Sequence, residues 1–205
     1  LLKAGAKKNK IGYIPNGIPE DFFTQKKTEN EENKILYLGR ISPKKKLETL
    51  ILAISYLKDK KIKVEIVGPR ENNYYNYLLK IIKETNTQSR IKFLESIYDI
   101  KNKIKKLDSA KIYVLPSRVE GMPQSLIEAM AREKIVIGSN SLAIRDLIKD
   151  KENGFLFEFD NPKDLAKKID EALQQKNSGI KKQARKNVEN FSWDKIIKKI
   201  VELIK

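Results

Sequence analysis

The chain has 205 residues, with 43 lysines and arginines against 27 aspartates and glutamates, a formal net charge of +16, and neither cysteine nor histidine. Disulfides, Cys/His metal centres and Ser-His-Asp triads are therefore excluded within it, and acid–base work falls to carboxylates, lysine, tyrosine or a group from another chain or domain. The length suits one domain, or one domain with an appended segment, the apolar runs fall short of the ~20 residues of a membrane-spanning helix, and the first of them, Leu1-Leu2, is too short for a secretory signal.

In chain order, β-branched runs alternate with amphipathic stretches. Strands are predicted at 11–14, 34–38, 63–67, 91–94, 112–115, 135–138 and 155–157. Runs such as Ile112-Tyr113-Val114-Leu115 and Ile135-Val136-Ile137 are apolar without alternation, as in strands covered on both faces of a parallel sheet. The segment 46–57 sets Leu47, Leu50, Ile51, Ile54 and Leu57 on one helical face. The segments 74–84, 97–107, 124–132 and 162–173 have the same period. The polar stretch 25–33 reads as an exposed connection, and Lys176-Asn177-Ser178-Gly179 breaks the chain before two basic helices, 180–190 and 192–205. Ser192 is placed to N-cap the second of these, whose apolar face is Ile196, Ile197, Ile200, Val201 and Ile204.

This alternation predicts an α/β fold: a doubly wound, Rossmann-like, mostly parallel sheet with helices on both faces. It divides into a lead-in and linker (1–33), a sheet core (34–175) and C-terminal helices (176–205). Ligands of such folds bind at the carboxyl ends of the strands, so the loops that follow strands are the places to search.

Three such loops are candidates. Gly39-Arg40-Ile41-Ser42-Pro43-Lys44-Lys45-Lys46 follows a strand and leads into a helix. A guanidinium, a lysine and free backbone N–H groups at that edge suit a diphosphate, or make an ordinary basic loop. In Val67-Gly68-Pro69-Arg70 the glycine permits a tight turn, and a structural role is the favoured reading. The richest run is 116–130, Pro-Ser-Arg-Val-Glu-Gly-Met-Pro-Gln-Ser-Leu-Ile-Glu-Ala-Met. Pro123 opens a helix there. The amides of Gln124 and Ser125 are expected to face an anion. A carboxylate at Glu128 can accept both hydrogens of a vicinal diol. Taken alone, Glu120 and Glu128 are each better read as solvated surface charges.

Together these residues resemble the C-terminal, donor-binding domain of retaining glycosyltransferases with the GT-B fold, the glycosyl transferases group 1 family (family 4). The resemblance is collinear over nearly the whole chain. It runs through Ile14-Pro15-Asn16-Gly17-Ile18, Leu38-Gly39-Arg40 with Lys45, Val67-Gly68-Pro69, Glu120 to Glu128, Ile144-Arg145-Asp146, Asn153-Gly154-Phe155-Leu156 and Phe191-Ser192-Trp193. It implies that Arg40 and Lys45 neutralise a donor diphosphate, that Glu128 holds ribose hydroxyls, and that Glu120 contacts the donor sugar. Gly39 and the segment Gly121, Met122, Pro123, Gln124 and Ser125 would cradle phosphate and sugar, and Ser96 and Ile97 would flank the base. It also implies transfer of a hexose-type sugar with retention, from a nucleotide diphosphate sugar to a glycan or lipid-linked acceptor held by an N-terminal domain outside these 205 residues. Donor binding without efficient transfer is expected of this chain alone. No Asp-x-Asp sequence occurs, so no metal or other cofactor is expected and the two cations would do the electrostatic work. The setting implied is cytoplasmic, peripheral at the inner membrane face, with contact to anionic lipid.

Four positions depart from the family pattern. Lys46, Glu95 and Glu133 stand where it commonly has glycine, and Ile135 where it has proline. Two other readings share the composition. One is a sugar-nucleotide epimerase or hydrolase of the same architecture. The other is a non-enzymatic basic module for nucleic acid or membrane, with the lysines and isoleucines of 192–205 lying on lipid. The lysines are spread along the chain rather than clustered, which reads as a generic basic surface, and no nucleic-acid partner is expected.

Overall fold

The computed structural model describes Gly5 and residues 14–24, 31–174 and 177–204. Among these residues six strands form one sheet: β1 (Glu32–Leu38), β2 (Lys63–Val67), β3 (Ile91–Leu94), β4 (Ala110–Leu115), β5 (Ile135–Ser139) and β6 (Phe155–Phe157). All pairings are parallel, in the order β3-β2-β1-β4-β5-β6. The register aligns Lys34 with Lys63 through Leu38 with Val67, and Ile112 with Ile135 through Leu115 with Gly138. The continuous apolar runs occupy the central strands, where Ile35, Leu36, Ile112, Val114, Val136 and Ile137 are fully buried.

The helices are α1 (Asp21–Thr24), α2 (Leu47–Tyr56), α3 (Asn72–Glu84), α4 (Ile100–Asp108), α5 (Gln124–Ala131), α6 (Leu142–Leu147), α7 (Pro162–Gln174), α8 (Ser178–Val188) and α9 (Trp193–Ile204). One layer joins α2 to α3 and α7, and the other joins α5 to α1 and α8. The chain winds outward through β1, β2 and β3, then returns to the far side of β1 for β4. A crevice between the carboxyl ends of β1 and β4 is the geometric result. Among the described residues no helix is long and apolar enough to cross a membrane.

The doubly wound sheet is as expected; several local features differ. Residues 11–13 of the first predicted strand lie outside the described residues, and Ile14 belongs to no strand. β1 starts at Glu32, so the connection ends earlier than its polarity suggests. The buried Lys34 is neutralised by Glu65 at 3.3 Å and Glu32 at 3.5 Å, which lets charged residues open a strand. Helix α4 begins at Ile100 rather than at residue 97, because the Asp99 carboxylate accepts the Asn102 N–H at 2.8 Å and caps it there. Ser192 sits at the start of α9, and its carbonyl accepts from Ile196 N–H at 3.0 Å. Its buried hydroxyl caps nothing among the described residues. Among the described side chains of α9 only Ile196 is buried, while Trp193, Ile197, Val201 and Leu203 are exposed. The short helices α1 and α6 have no periodic signal at their length.

One buried polar group organises the side of the sheet bearing α4 and α5. Arg132, fully buried just after α5, donates to the Asp108 carboxylate at 2.9 and 2.7 Å and to the Phe22 carbonyl at 3.3 Å. Arg185 of α8 donates to the carbonyls of Ala131, at 2.6 Å, and Phe23. The lead-in segment and α8 are thereby pinned to α5.

Candidate functional site

The site is assembled from the loops after β1, β2, β3 and β4. Gly39 has φ +152 and Gly68 φ +146, conformations that L side chains avoid. Gly39 N–H donates to Val67 O at 3.0 Å, and a Cβ on Gly68 would lie 2.1 Å from the Gly39 carbonyl oxygen. Two glycines thus let adjacent loops touch backbone to backbone. Beyond Ser42 the chain makes a single 3₁₀ turn, Pro43–Lys45. Lys46 then adopts φ +51, the left-handed position that favours glycine, and its ammonium bonds Asp160 at 3.1 Å and Glu48 at 3.3 Å. Glu133 likewise has φ +53. Glu95 has no such strain; it is exposed and pairs with Arg70 at 3.1 Å. The Arg118 N–H donates to the Lys44 carbonyl at 3.0 Å and ties the first loop to the loop after β4.

These loops enclose a cavity of about 320 Å³, whose wall includes Gly39, Arg40, Lys45, Ser96, Ile97, Glu120, Met122, Pro123, Gln124 and Ser125. Two expected residues stand apart from it. Gly121 is exposed outside the wall. Glu128 is buried behind it, one turn into α5. Ser96 and Ile97 line the cavity from a loop, since the Asp99 cap keeps them out of α4.

One ion pair lies in the cavity wall and a second reaches from it to the buried carboxylate behind. Lys45 Nζ lies 2.7 Å from Glu120 Oε1. Lys103 Nζ lies 2.6 Å from both carboxylate oxygens of Glu128. Burial pushes the Glu128 carboxyl above its ordinary pKa, and Lys103 opposes that shift. Burial also raises the phenols of Tyr37 and Tyr113, which stay protonated as donors. Tyr37 donates to the Arg40 carbonyl at 2.8 Å. The single Tyr113 O–H is shared between Ser125 Oγ at 2.7 Å and the Leu38 carbonyl at 3.3 Å. Both phenols therefore brace the loops from below. The Arg40 guanidinium is exposed and has no partner among the described residues.

One expectation about the start of α5 is corrected. The Gln124 N–H is already used on the Met122 carbonyl at 2.9 Å, a consequence of the tight turn around Pro123. Only the Ser125 N–H is left without a protein partner among the described residues. The site thus offers an anion the Arg40 guanidinium, the Lys45 ammonium and the Ser125 N–H, and offers hydroxyl groups the Glu120 carboxylate, with Glu128 behind it.

Lys103 and Tyr98 also line the cavity and were not singled out in the sequence. A signal for Lys103 exists: it interrupts the buried stripe of α4, flanked by Ile104 and one turn before Leu107. Tyr98, 88 % exposed, carries no such signal. Beside the cavity, Asn16 N–H donates to Met122 Sδ at 3.0 Å and Gln124 Nε2 to the Gly17 carbonyl at 3.3 Å. Gly17 packs beneath Trp193, whose ring a Cβ would meet at 2.6 Å. The lead-in segment and α9 therefore meet at the rim of the site.

Comparison with known proteins follows the same lines. The family model for glycosyl transferases group 1 matches residues 19–191. A Haemophilus influenzae protein named an uncharacterized glycosyltransferase is 31 % identical over 203 residues, 96 % of this chain and 54 % of its own length. Staphylococcus aureus poly(ribitol-phosphate) alpha-N-acetylglucosaminyltransferase is 29 % identical over 181 residues, 84 % of this chain and 35 % of its own. This chain thus spans about half the length of the first relative and about a third of the second. Among solved structures, Anabaena HepE in complex with UDP and glucose superposes with a TM-score of 0.86 at 20 % identity, over 99 % of this chain and 59 % of that one, a likeness of fold. Because the family match runs from the lead-in segment through the last strand to the approach to α9, the chain belongs to the glycosyl transferases group 1 family.

Proposed function

We propose that this domain binds a nucleotide diphosphate sugar and presents it for transfer of a hexose-type unit, with retention, to a glycan or lipid-linked acceptor held by a second, N-terminal domain. The observation that carries the reading is the convergence of Arg40, Lys45 and the Ser125 N–H on one cavity at the β1–β4 switch point. Three donors there suit the diphosphate. As the bond from the anomeric carbon to the diphosphate oxygen breaks, negative charge grows on the leaving group. Arg40 and Lys45 then act most strongly in the transition state, in the place a metal would otherwise take.

In this reading Lys45 exchanges Glu120 for phosphate when donor binds, and the freed Glu120 carboxylate turns to the sugar hydroxyls. Glu128 accepts from the ribose diol. The Gly121–Ser125 backbone follows the phosphate and sugar, without an N–H from Pro123. Ser96 and Ile97 flank the base. The HepE structure contains UDP and glucose, and the S. aureus relative is named for transfer to a polymer, which supports the donor and acceptor classes. The exposed Trp193, Ile197 and Val201 of α9, beside the rim, suit the second domain, and Lys195, Lys198 and Lys199 suit a peripheral contact with anionic lipid at the cytoplasmic membrane face. With the acceptor domain outside these residues, this chain alone binds donor and transfers poorly.

Titration calorimetry with UDP, GDP and ADP, then their sugar conjugates, tests the proposal. One nucleotide is expected to bind, and Arg40→Ala and Glu128→Ala are each expected to abolish binding. Binding that survives both substitutions refutes the site.

A further inference from the structure

We infer that Lys103 is a ligand-contacting residue of the nucleotide site, and that Lys103 and Glu128 recognise a vicinal diol as a pair. The inference rests on the nucleotide-donor reading and adds to it a residue and a source of ribose specificity. Glu128 does not reach the cavity wall; Lys103 does. The Lys103 side chain is 26 % exposed and that of Glu128 7 %. The ammonium lies 2.6 Å from both carboxylate oxygens, so it stands between the buried carboxylate and the cavity. A hydroxyl in the cavity close enough to bond Glu128 is therefore also within reach of Lys103.

The chemistry of a diol matches this arrangement. Each hydroxyl is both a donor and an acceptor. An isolated carboxylate serves only the donor half. An ammonium carries three N–H donors, and a carboxylate has about four lone-pair positions. The pair can therefore hold each other through one contact while Lys103 donates to a diol oxygen and Glu128 accepts a diol hydrogen. Lys103 is anchored for this task. It projects from α4 within the stripe that buries Ile104 and Leu107, and its ammonium lies 5.8 Å from the Phe22 ring centroid. The charges that could compete are occupied. Arg132, four residues beyond Glu128, is spent on Asp108 and Phe22, and Arg185 is spent on Ala131 and Phe23.

The test compares UDP, GDP and ADP with their 2′,3′-dideoxy counterparts by calorimetry, in the unaltered chain and in Lys103→Met, Lys103→Arg and Glu128→Gln. The unaltered chain is expected to prefer the ribonucleotide by about 10- to 100-fold, the range of charge-assisted hydrogen bonds. Lys103→Met should bind the two forms within about threefold of each other, as should Glu128→Gln, and Lys103→Arg should recover part of the preference. Thermal melts confirm that each variant is folded. Full ribose preference in Lys103→Met overturns this inference alone. Failure of the unaltered chain to bind any of the three nucleotides overturns the reading of the whole site, and this inference with it.

Discussion

Replacing Arg132 by methionine should destabilise the domain severely without touching the nucleotide cavity. The guanidinium satisfies Asp108 through two hydrogen bonds, at 2.9 and 2.7 Å, and adds the Phe22 carbonyl at 3.3 Å. Arg132 is 0 % and Asp108 1 % exposed, so water cannot take over either role. Lys134 offers limited relief, because its ammonium already serves the carbonyls of Asp108 and Ala110 and the Glu31 carboxylate. Removing one member of such a pair costs about 3–5 kcal/mol. A domain of this kind has about 5–15 kcal/mol in total. At about 2–4 °C per kcal/mol for this size, the melting temperature should fall by roughly 6–20 °C. The double variant Arg132→Met with Asp108→Leu removes both charges and should recover most of the loss. Urea denaturation at pH 7, followed by circular dichroism, reads both variants. A single variant within about 1 kcal/mol of the unaltered chain, or a double variant no better than the single, refutes the reasoning.

Three further outcomes are expected. Gly68→Ala should cost about 2 kcal/mol or more, from left-handed strain and the contact with the Gly39 carbonyl, and should weaken nucleotide binding; Gly121→Ala, with open space around it, should cost under about 0.5 kcal/mol in the same urea series. Glu128→Gln should be at least as stable as the unaltered chain at pH 7, because burial raises the folded pKa of that carboxyl and ionising it works against folding; calorimetry should nonetheless show nucleotide affinity about 10- to 100-fold lower. Burial would raise the Glu65 carboxyl, but Lys106 and Lys34 outweigh it and the pKa is lowered. Its contribution is therefore full above the ordinary value of 4.5 and lost as pH falls through the depressed folded value, so Glu65→Gln should flatten the stability profile below about pH 4.5.

The sheet was legible because its strands are buried on both faces. Continuous apolar runs such as Ile112 to Leu115 leave few other structures open. The glycine loops were legible because backbone geometry demands the residue: Gly39 and Gly68 have positive φ, and Lys46 and Glu133 occupy the same kind of position without glycine. What stayed hidden depends on contacts distant in sequence. Lys103 meets Glu128 across 25 positions, Lys45 meets Glu120 across 75, and Arg132 reaches Phe22 across 110. No periodicity reports such pairs. The start of α4 was hidden for a local reason: Ile97 fits the helical stripe, but the Asp99 cap three residues before Asn102 fixes the true start. The Gln124 amide looked free because a proline before a helix normally leaves the next N–H unpaired, whereas here the turn closes on Met122.

A crystal structure of the chain with the nucleoside diphosphate that calorimetry selects decides between these placements. The diphosphate is expected between Gly39, Arg40, Lys45 and the Ser125 N–H, with the Lys45–Glu120 pair opened and the ribose diol on Lys103 and Glu128. A nucleotide bound elsewhere, or one seated here with the Lys45–Glu120 pair intact and the ribose turned away from Lys103, would contradict that expectation.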